Sequence, residues 1–182
     1  NASALIANTD AECAQLVSLY EACPDKVFTV APGVDLERFT PGAGKSVARQ
    51  KLNIAEDALM FTFVGRIQPH KGPEVLVRAA AEMIMHSPHL RAKLALVIMG
   101  GPSGNGTEEP ERLAGLAKFL GVDDIVHFIP PCPRGDLADW YRASDLVCVP
   151  SYSESFGLVA LEAQACGTPV VATAVGGLRT AV

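Results

Sequence analysis

Residues 146–173 read LVCVPSYSESFGLVALEAQACGTPVVAT, and the order of residue types in this stretch decides the fold. Leu146 to Val149 is apolar without the alternation of a half-exposed strand, which suits a strand buried on both faces. Small and polar residues from Ser151 to Ser155 make a turn, a helical segment follows over 157–166, and Gly167 stops it. Val170 to Thr173 then returns as a second apolar strand. Strand, helix and strand in this order form a βαβ unit with parallel strands.

Working outward, the alternation repeats. Met60 to Val64 reads as a strand, and the helix after Pro73 places Val75, Leu76, Ala79, Ala80, Met83 and Ile84 on one stripe. Leu94 to Met99 and Ile125 to Ile129 are further strands. Between them Leu113, Leu116, Ala117 and Leu120 mark a helix ending at Gly121, and another helical segment spans 134–144. The expected class is α/β with a doubly wound parallel sheet. Such sheets bind ligands outside the carboxyl ends of their strands, so the loops after Val64, Met99, Ile129 and Val149 are the ones to search.

Upstream, Ala4 to Ala7 reads as a strand, and Thr9-Asp10-Ala11-Glu12 is a capping box for a helix with Leu16, Val17 and Tyr20 on one face. Val27 to Val30 is a second strand. Residues 31–46 hold Pro32-Gly33 and Pro41-Gly42-Ala43-Gly44 among polar residues and read as a linker. The expected organisation is therefore the end of one domain over 1–30, a linker over 31–46 and a ligand-binding domain over 47–182. Opening on Asn1 and closing at Val182, the chain reads as a piece of a longer one.

Composition narrows the partners. Of 182 residues, 49% are hydrophobic and 19% charged, which excludes a disordered chain. Fifteen Lys and Arg against 20 Asp and Glu leave a net charge of −5, a poor field for nucleic acid or an anionic membrane. No apolar run approaches the roughly 20 residues of a membrane span. Five cysteines form no C-x-x-C pair, so neither a disulfide framework nor a zinc site is indicated, and a cytoplasmic setting is expected.

Two phosphate-loop look-alikes fail. Gly44-Lys45-Ser46 has the tail of a Walker A loop, but Phe39 stands where its first glycine is required. The run Gly100-Gly101-Pro102-Ser103-Gly104-Asn105-Gly106 follows a strand, yet no register gives G-x-G-x-x-G. It remains a place where backbone can approach a ligand closely. More promising is Gly65-Arg66-Ile67-Gln68-Pro69-His70-Lys71-Gly72, in which Arg66 and Lys71 put two cations at the carboxyl edge of the sheet. The alternative is a solvated basic loop. After the strand ending at Val149, the free N–H groups near Phe156, Gly157 and Leu158 would attract an anion. Glu154 and Glu162 would be repelled by a phosphate, so their use is to accept hydrogen bonds from neutral hydroxyls. Together these groups describe a nucleotide-sugar site. Against it, Glu154 would be a helix cap and Glu162 a surface carboxylate.

The run from Ser151 to Leu178 resembles the E-x7-E signature of retaining glycosyltransferases of family GT4, with Glu154 and Glu162 as its two carboxylates. Gly65-Arg66 with Lys71 resembles the phosphate-binding pair of that family. GGPSG after the second strand and APGVDLERFTPG at the linker add support. The likeness is strongest to the branch that opens mycothiol synthesis by moving N-acetylglucosamine from UDP to an inositol phosphate. It implies a GT-B fold of two Rossmann-like domains, of which this chain would hold the donor-binding one, truncated at both ends.

Further site roles follow from the resemblance. Arg66 and Lys71 would hold the donor diphosphate, Glu154 the hydroxyls of the transferred sugar, and Glu162 the ribose, while Phe156, Gly157 and Leu158 open the helix beside them. The backbone of Cys132 would meet the uracil. Arg66, Lys71 and Glu154 are thus the catalytic set, with no cofactor needed for the chemistry. A peripheral magnesium ion is implied at Tyr141, Arg142, Ser144 and Thr168. Partners would be a UDP-sugar and a phosphorylated polyol held mainly by the other domain, and a homodimer stays open. His70 is either sugar-facing or a solvated loop histidine. Cys148, Cys166, Trp140 and Tyr141 are read as packing residues. Transferases using UDP-glucose or GDP-mannose, an epimerase of the same fold and a non-catalytic UDP-sugar-binding fragment share these motifs.

Overall fold

Two parallel sheets carry the chain in the computed structural model, which describes residues 2–102 and 108–182. The smaller pairs β1 (Leu5–Ala7) with β2 (Val27–Thr29) across α1 (Asp10–Tyr20). Thr9 caps α1, its hydroxyl accepting the Glu12 N–H at 3.1 Å. Glu12 returns its carboxylate to the N–H of Asn8 at 2.6 Å, one residue before the cap. The capping box thus closes one position early. Tyr20, expected on the packed face, is 76% exposed.

The larger sheet holds β3 (Leu59–Val64), β4 (Leu94–Met99), β5 (Val126–Ile129), β6 (Leu146–Val149) and β7 (Val170–Ala172). Its order is β5-β4-β3-β6-β7, all parallel. The chain therefore winds outward from β3 in one direction, then restarts beside β3 and winds in the other. The carboxyl ends of β3 and β6 flank the point where the order reverses, where doubly wound sheets bind ligands.

Both faces of the central strands β3, β4 and β6 are largely buried, which explains why they show no polar alternation, whereas the edge strands β5 and β7 are partly exposed. Phe63, Leu96 and Ile98 pack against α3 (Pro73–His86) and α4 (Glu109–Phe119) through Leu76, Val77 and Leu113. On the other face Met60, Val97 and Met99 meet α2 (Lys45–Leu52), and Val147 and Val149 meet α5 (Arg134–Ala143) and α6 (Leu158–Ala165). Cys148 and Cys166 are buried in these layers, and desolvation pushes the Cys148 thiol up to about 11. The chain ends in a short α7 (Leu178–Ala181). No helix among the described residues is long and apolar enough to cross a membrane.

Helix α2 is absent from the sequence reading because its buried face is Ala48 and Arg49, which leave no apolar stripe. Arg49 is 1% exposed. Its guanidinium donates to the carbonyls of Ala143 and Ala58, each at 3.0 Å, and to Asp145 Oδ2 at 2.7 Å. Lys45 and Ser46, expected as linker, open this helix, and Lys45 pairs with Asp145. Burial alone would raise the Asp145 carboxyl, but hydrogen bonds from Lys45 and the Met60 N–H, with the charge of Arg49, hold it below its ordinary range. Residues 38–40 lie on α5. Phe39 is buried against Tyr141, and Arg142 donates to the carbonyls of Thr40 at 2.7 Å and Arg38 at 2.9 Å.

Candidate functional site

The loops leaving β3 and β6 meet at the reversal point. After β3 the chain makes a 3₁₀ turn over Pro69–Lys71 and bends at Gly72, whose φ is +66°. A Cβ on Gly72 would stand 2.2 Å from the Pro150 carbonyl oxygen, so only glycine lets the two loops approach this closely. The His70 carbonyl accepts the Tyr152 N–H at 2.8 Å and stitches them together. The His70 side chain is exposed.

Between the loops lies a cavity of about 290 Å³, lined among others by Gly65, Lys71, Ser151, Glu154, Gly157 and Leu158. Lys71 Nζ donates to Glu154 Oε2 at 2.7 Å. Glu154 therefore does not cap α6, whose first turn has no side-chain cap and begins at Gly157 with φ +99°. Those N–H groups and the helix dipole are the electropositive end of the cavity. The backbone of Glu154 is held in turn by the segment after β7, where Gly177 N–H donates to its carbonyl at 3.0 Å. A Cβ on Gly176 would lie 2.1 Å from that same oxygen.

A second cleft of about 180 Å³ continues the first across the ends of β3, β4 and β5. It shares Val64 and Gly65 with the cavity and adds Arg66, Gly100, Gly101 and Cys132. The Cys132 thiol lies 3.6 Å from the Met99 sulfur, and burial raises its pKa. Of the glycine run after β4, Ser103, Gly104, Asn105 and Gly106 lie outside the described residues.

Glu162 is not among the lining of either cleft but lies on α6, whose first residues line the cavity. It sits in the second turn of α6, 8% exposed, and accepts the Tyr141 hydroxyl at 2.9 Å. It is a buried carboxylate, not a surface one. Burial raises its pKa, opposed by that hydrogen bond and the charge of Arg134. Desolvation, then the neighbouring Glu162, drives the Tyr141 hydroxyl far above its ordinary range.

The four positions implied for magnesium converge on one corner, but their side chains are committed. Thr168 Oγ1 donates to the Tyr141 carbonyl at 2.6 Å, and Ser144 Oγ donates to the Trp140 carbonyl at 2.7 Å and shares a 2.6 Å hydrogen bond with Thr62. Arg142 is bound to Thr40, Arg38 and Asp139. Carbonyls and hydroxyls without a carboxylate offer a divalent cation little charge, the Tyr141 carbonyl already accepts from Thr168 and Ser144, and no group of acidic, His or Cys side chains among the described residues suits a metal.

Asn8 and Pro32 also line the cavity beside Lys71 and Glu154. They come from the first 32 residues, far away in sequence, and nothing in their local pattern marks them. Tyr141, expected as a packing residue and as part of the implied magnesium set, proves to be the hydrogen-bond partner of Glu162.

A family model described as glycosyl transferases group 1 matches residues 44–182. D-inositol 3-phosphate glycosyltransferases of Kribbella flavida and Actinosynnema mirum are 62% and 60% identical over 181 residues. The match covers 100% of this chain but only 42% and 43% of those relatives, so the chain spans less than half their length. Among solved structures, sucrose-phosphate synthase of Thermosynechococcus elongatus superposes with a TM-score of 0.85 at 35% identity, over 99% of this chain and 43% of that one. Anabaena HepE in complex with UDP-glucose gives a TM-score of 0.85 at 26% identity, over 100% and 47%. With the family pattern running from residue 44 to the last residue over a GT-B type parallel sheet, the chain belongs to the glycosyl transferases group 1 family.

Proposed function

We propose that this chain is the donor-binding part of a retaining glycosyltransferase that moves N-acetylglucosamine from UDP to 1D-myo-inositol 3-phosphate. The observation that carries the reading is the meeting of Lys71, Glu154 and the uncapped start of α6 in one cavity at the reversal point of the sheet. Lys71 and Arg66 serve the diphosphate, Glu154 the sugar hydroxyls, Glu162 the ribose and the Cys132 backbone the uracil. As the glycosidic bond breaks, charge grows on the leaving UDP. Lys71, once the bound donor has drawn it from Glu154, and the helix N–H groups of fixed direction stabilise that charge, and removing one such donor typically costs about 2.7–4 kcal/mol of transition-state stabilisation. The relatives' names support the inositol 3-phosphate acceptor, and a cytoplasmic setting is part of the same reading.

A UDP-glucose donor is the second reading, favoured by the likeness to HepE in complex with that sugar nucleotide. Displacement of bound UDP separates the two. UDP-N-acetylglucosamine is expected to displace it at a lower concentration than UDP-glucose, and GDP-mannose to fail; GDP-mannose competing as well as either would sink the uridine assignment. Lys71→Ala is expected to weaken UDP about tenfold or more, from a lost charged hydrogen bond, while lowering the melting temperature by only about 2–4 °C through loss of the pair with Glu154. Equal UDP affinity would remove Lys71 from the site.

A further inference from the structure

We propose that Tyr141 is a positioning residue for the donor's ribose: its hydroxyl fixes one carboxylate oxygen of Glu162 and leaves the other for the ribose diol. This rests on the assignment of Glu162 to the ribose made above. Tyr141 is 0% exposed and Glu162 8%, and the hydroxyl donates to Glu162 Oε2 at 2.9 Å. A buried hydroxyl is costly unless it is bonded, and packing alone would be served as well by phenylalanine. The hydroxyl therefore needs a reason, and Glu162 is the partner it meets.

The rest of Tyr141 is held still. Its ring lies 6.0 Å from that of Phe39, centroid to centroid, at 54°. Its main-chain carbonyl accepts both the Thr168 hydroxyl at 2.6 Å and the Ser144 N–H at 3.1 Å. A carboxylate on three rotatable bonds becomes a fixed acceptor when one oxygen is tied to so rigid a donor. An ionised carboxylate accepts on both oxygens, so Oε1 keeps its capacity while Oε2 anchors the group. Binding then avoids the ordering of one flexible side chain, an advantage of about three- to tenfold in affinity.

Calorimetry on the 182-residue chain with UDP and 2′,3′-dideoxy-UDP tests the idea. Tyr141→Phe is expected to weaken UDP about three- to tenfold and leave the dideoxy analogue unchanged, so the preference for the ribose hydroxyls collapses. Installing 4-aminophenylalanine at position 141, which restores a donor, should recover it. A parallel fall for both nucleotides, or no fall for either, overturns the positioning role. Glu162→Gln, run alongside, keeps the two readings apart. If it too leaves the preference intact, the ribose assignment fails; if it abolishes the preference while Tyr141→Phe does not, only the role of Tyr141 fails. Should Tyr141→Phe not fold, Glu162→Asp withdraws the carboxylate from an intact tyrosine by one methylene, and an unaltered preference in that variant is equally fatal.

Discussion

Replacing Glu154 with Gln should change the affinities for UDP and UDP-N-acetylglucosamine in opposite directions. Lys71 Nζ lies 2.7 Å from Glu154 Oε2, with side-chain exposures of 19% and 17%. A diphosphate that takes Lys71 must displace Glu154 from it. Exposed ion pairs contribute about 0.2–1 kcal/mol, and the partial burial of this pair sets it at the upper end, about 1 kcal/mol. Gln keeps the length and one carbonyl oxygen but carries no charge, so Lys71 is released. UDP alone is then expected to bind about fivefold tighter, since 1.4 kcal/mol is a factor of ten. The sugar nucleotide loses more than it gains. A hydrogen bond to a charged group contributes about 1.5–3 kcal/mol, which outweighs the released pair by about 0.5–2 kcal/mol and weakens the donor about two- to thirtyfold. Titration calorimetry of both ligands against both proteins reads the two signs directly. UDP affinity that stays fixed or falls in Glu154→Gln refutes the pair as an obstacle to binding. Tightening of both ligands together refutes the assignment of Glu154 to the sugar.

Two further perturbations probe what holds the site in place. Arg49→Leu should lower unfolding stability by about 3 kcal/mol in urea melts, the low end for breaking a buried pair, because Asp145 keeps the Met60 N–H and Lys45 as partners; a loss below 1 kcal/mol would mean that the network contributes little. Gly72→Ala should reduce UDP affinity by at least about tenfold, because its Cβ would stand 2.2 Å from the Pro150 oxygen and push apart the loops that form the cavity; unchanged UDP binding by calorimetry would show that the loops tolerate separation.

How far the sequence reaches depends on the range of the interaction being read. The strands β3, β4 and β6 are visible because both faces are buried, which writes an unbroken apolar run. Helix α3 is visible because one face alone is buried, which writes a stripe. Helix α2 is invisible for the opposite reason: its anchor is a buried guanidinium whose acceptors are main-chain carbonyls and Asp145, 96 positions away. The candidate site divides along the same line. Lys71 and Glu154 stand out through local pattern, a loop after a strand and a turn before a helix, but their direct pairing joins residues 83 positions apart. Asn8 reaches the cavity from a segment whose own pattern speaks only of a helix cap.

That pairing also bears on how a chain with net charge −5 would hold the proposed diphosphate site. A cavity with uncompensated cations would attract any polyanion. Here the cation at its centre is matched by a carboxylate at hydrogen-bond distance, and further positive character comes from Arg66 in the adjoining cleft and from main-chain N–H groups at the start of α6, which have fixed direction. A ligand gains from this arrangement only if it offers both an anion for Lys71 and hydroxyls for the displaced Glu154. A sugar nucleotide carries both on one molecule, whereas inorganic phosphate or a polynucleotide backbone offers only the first. Selectivity would thus arise from the cost of separating Lys71 and Glu154, a cost that the sugar repays and bare phosphate does not.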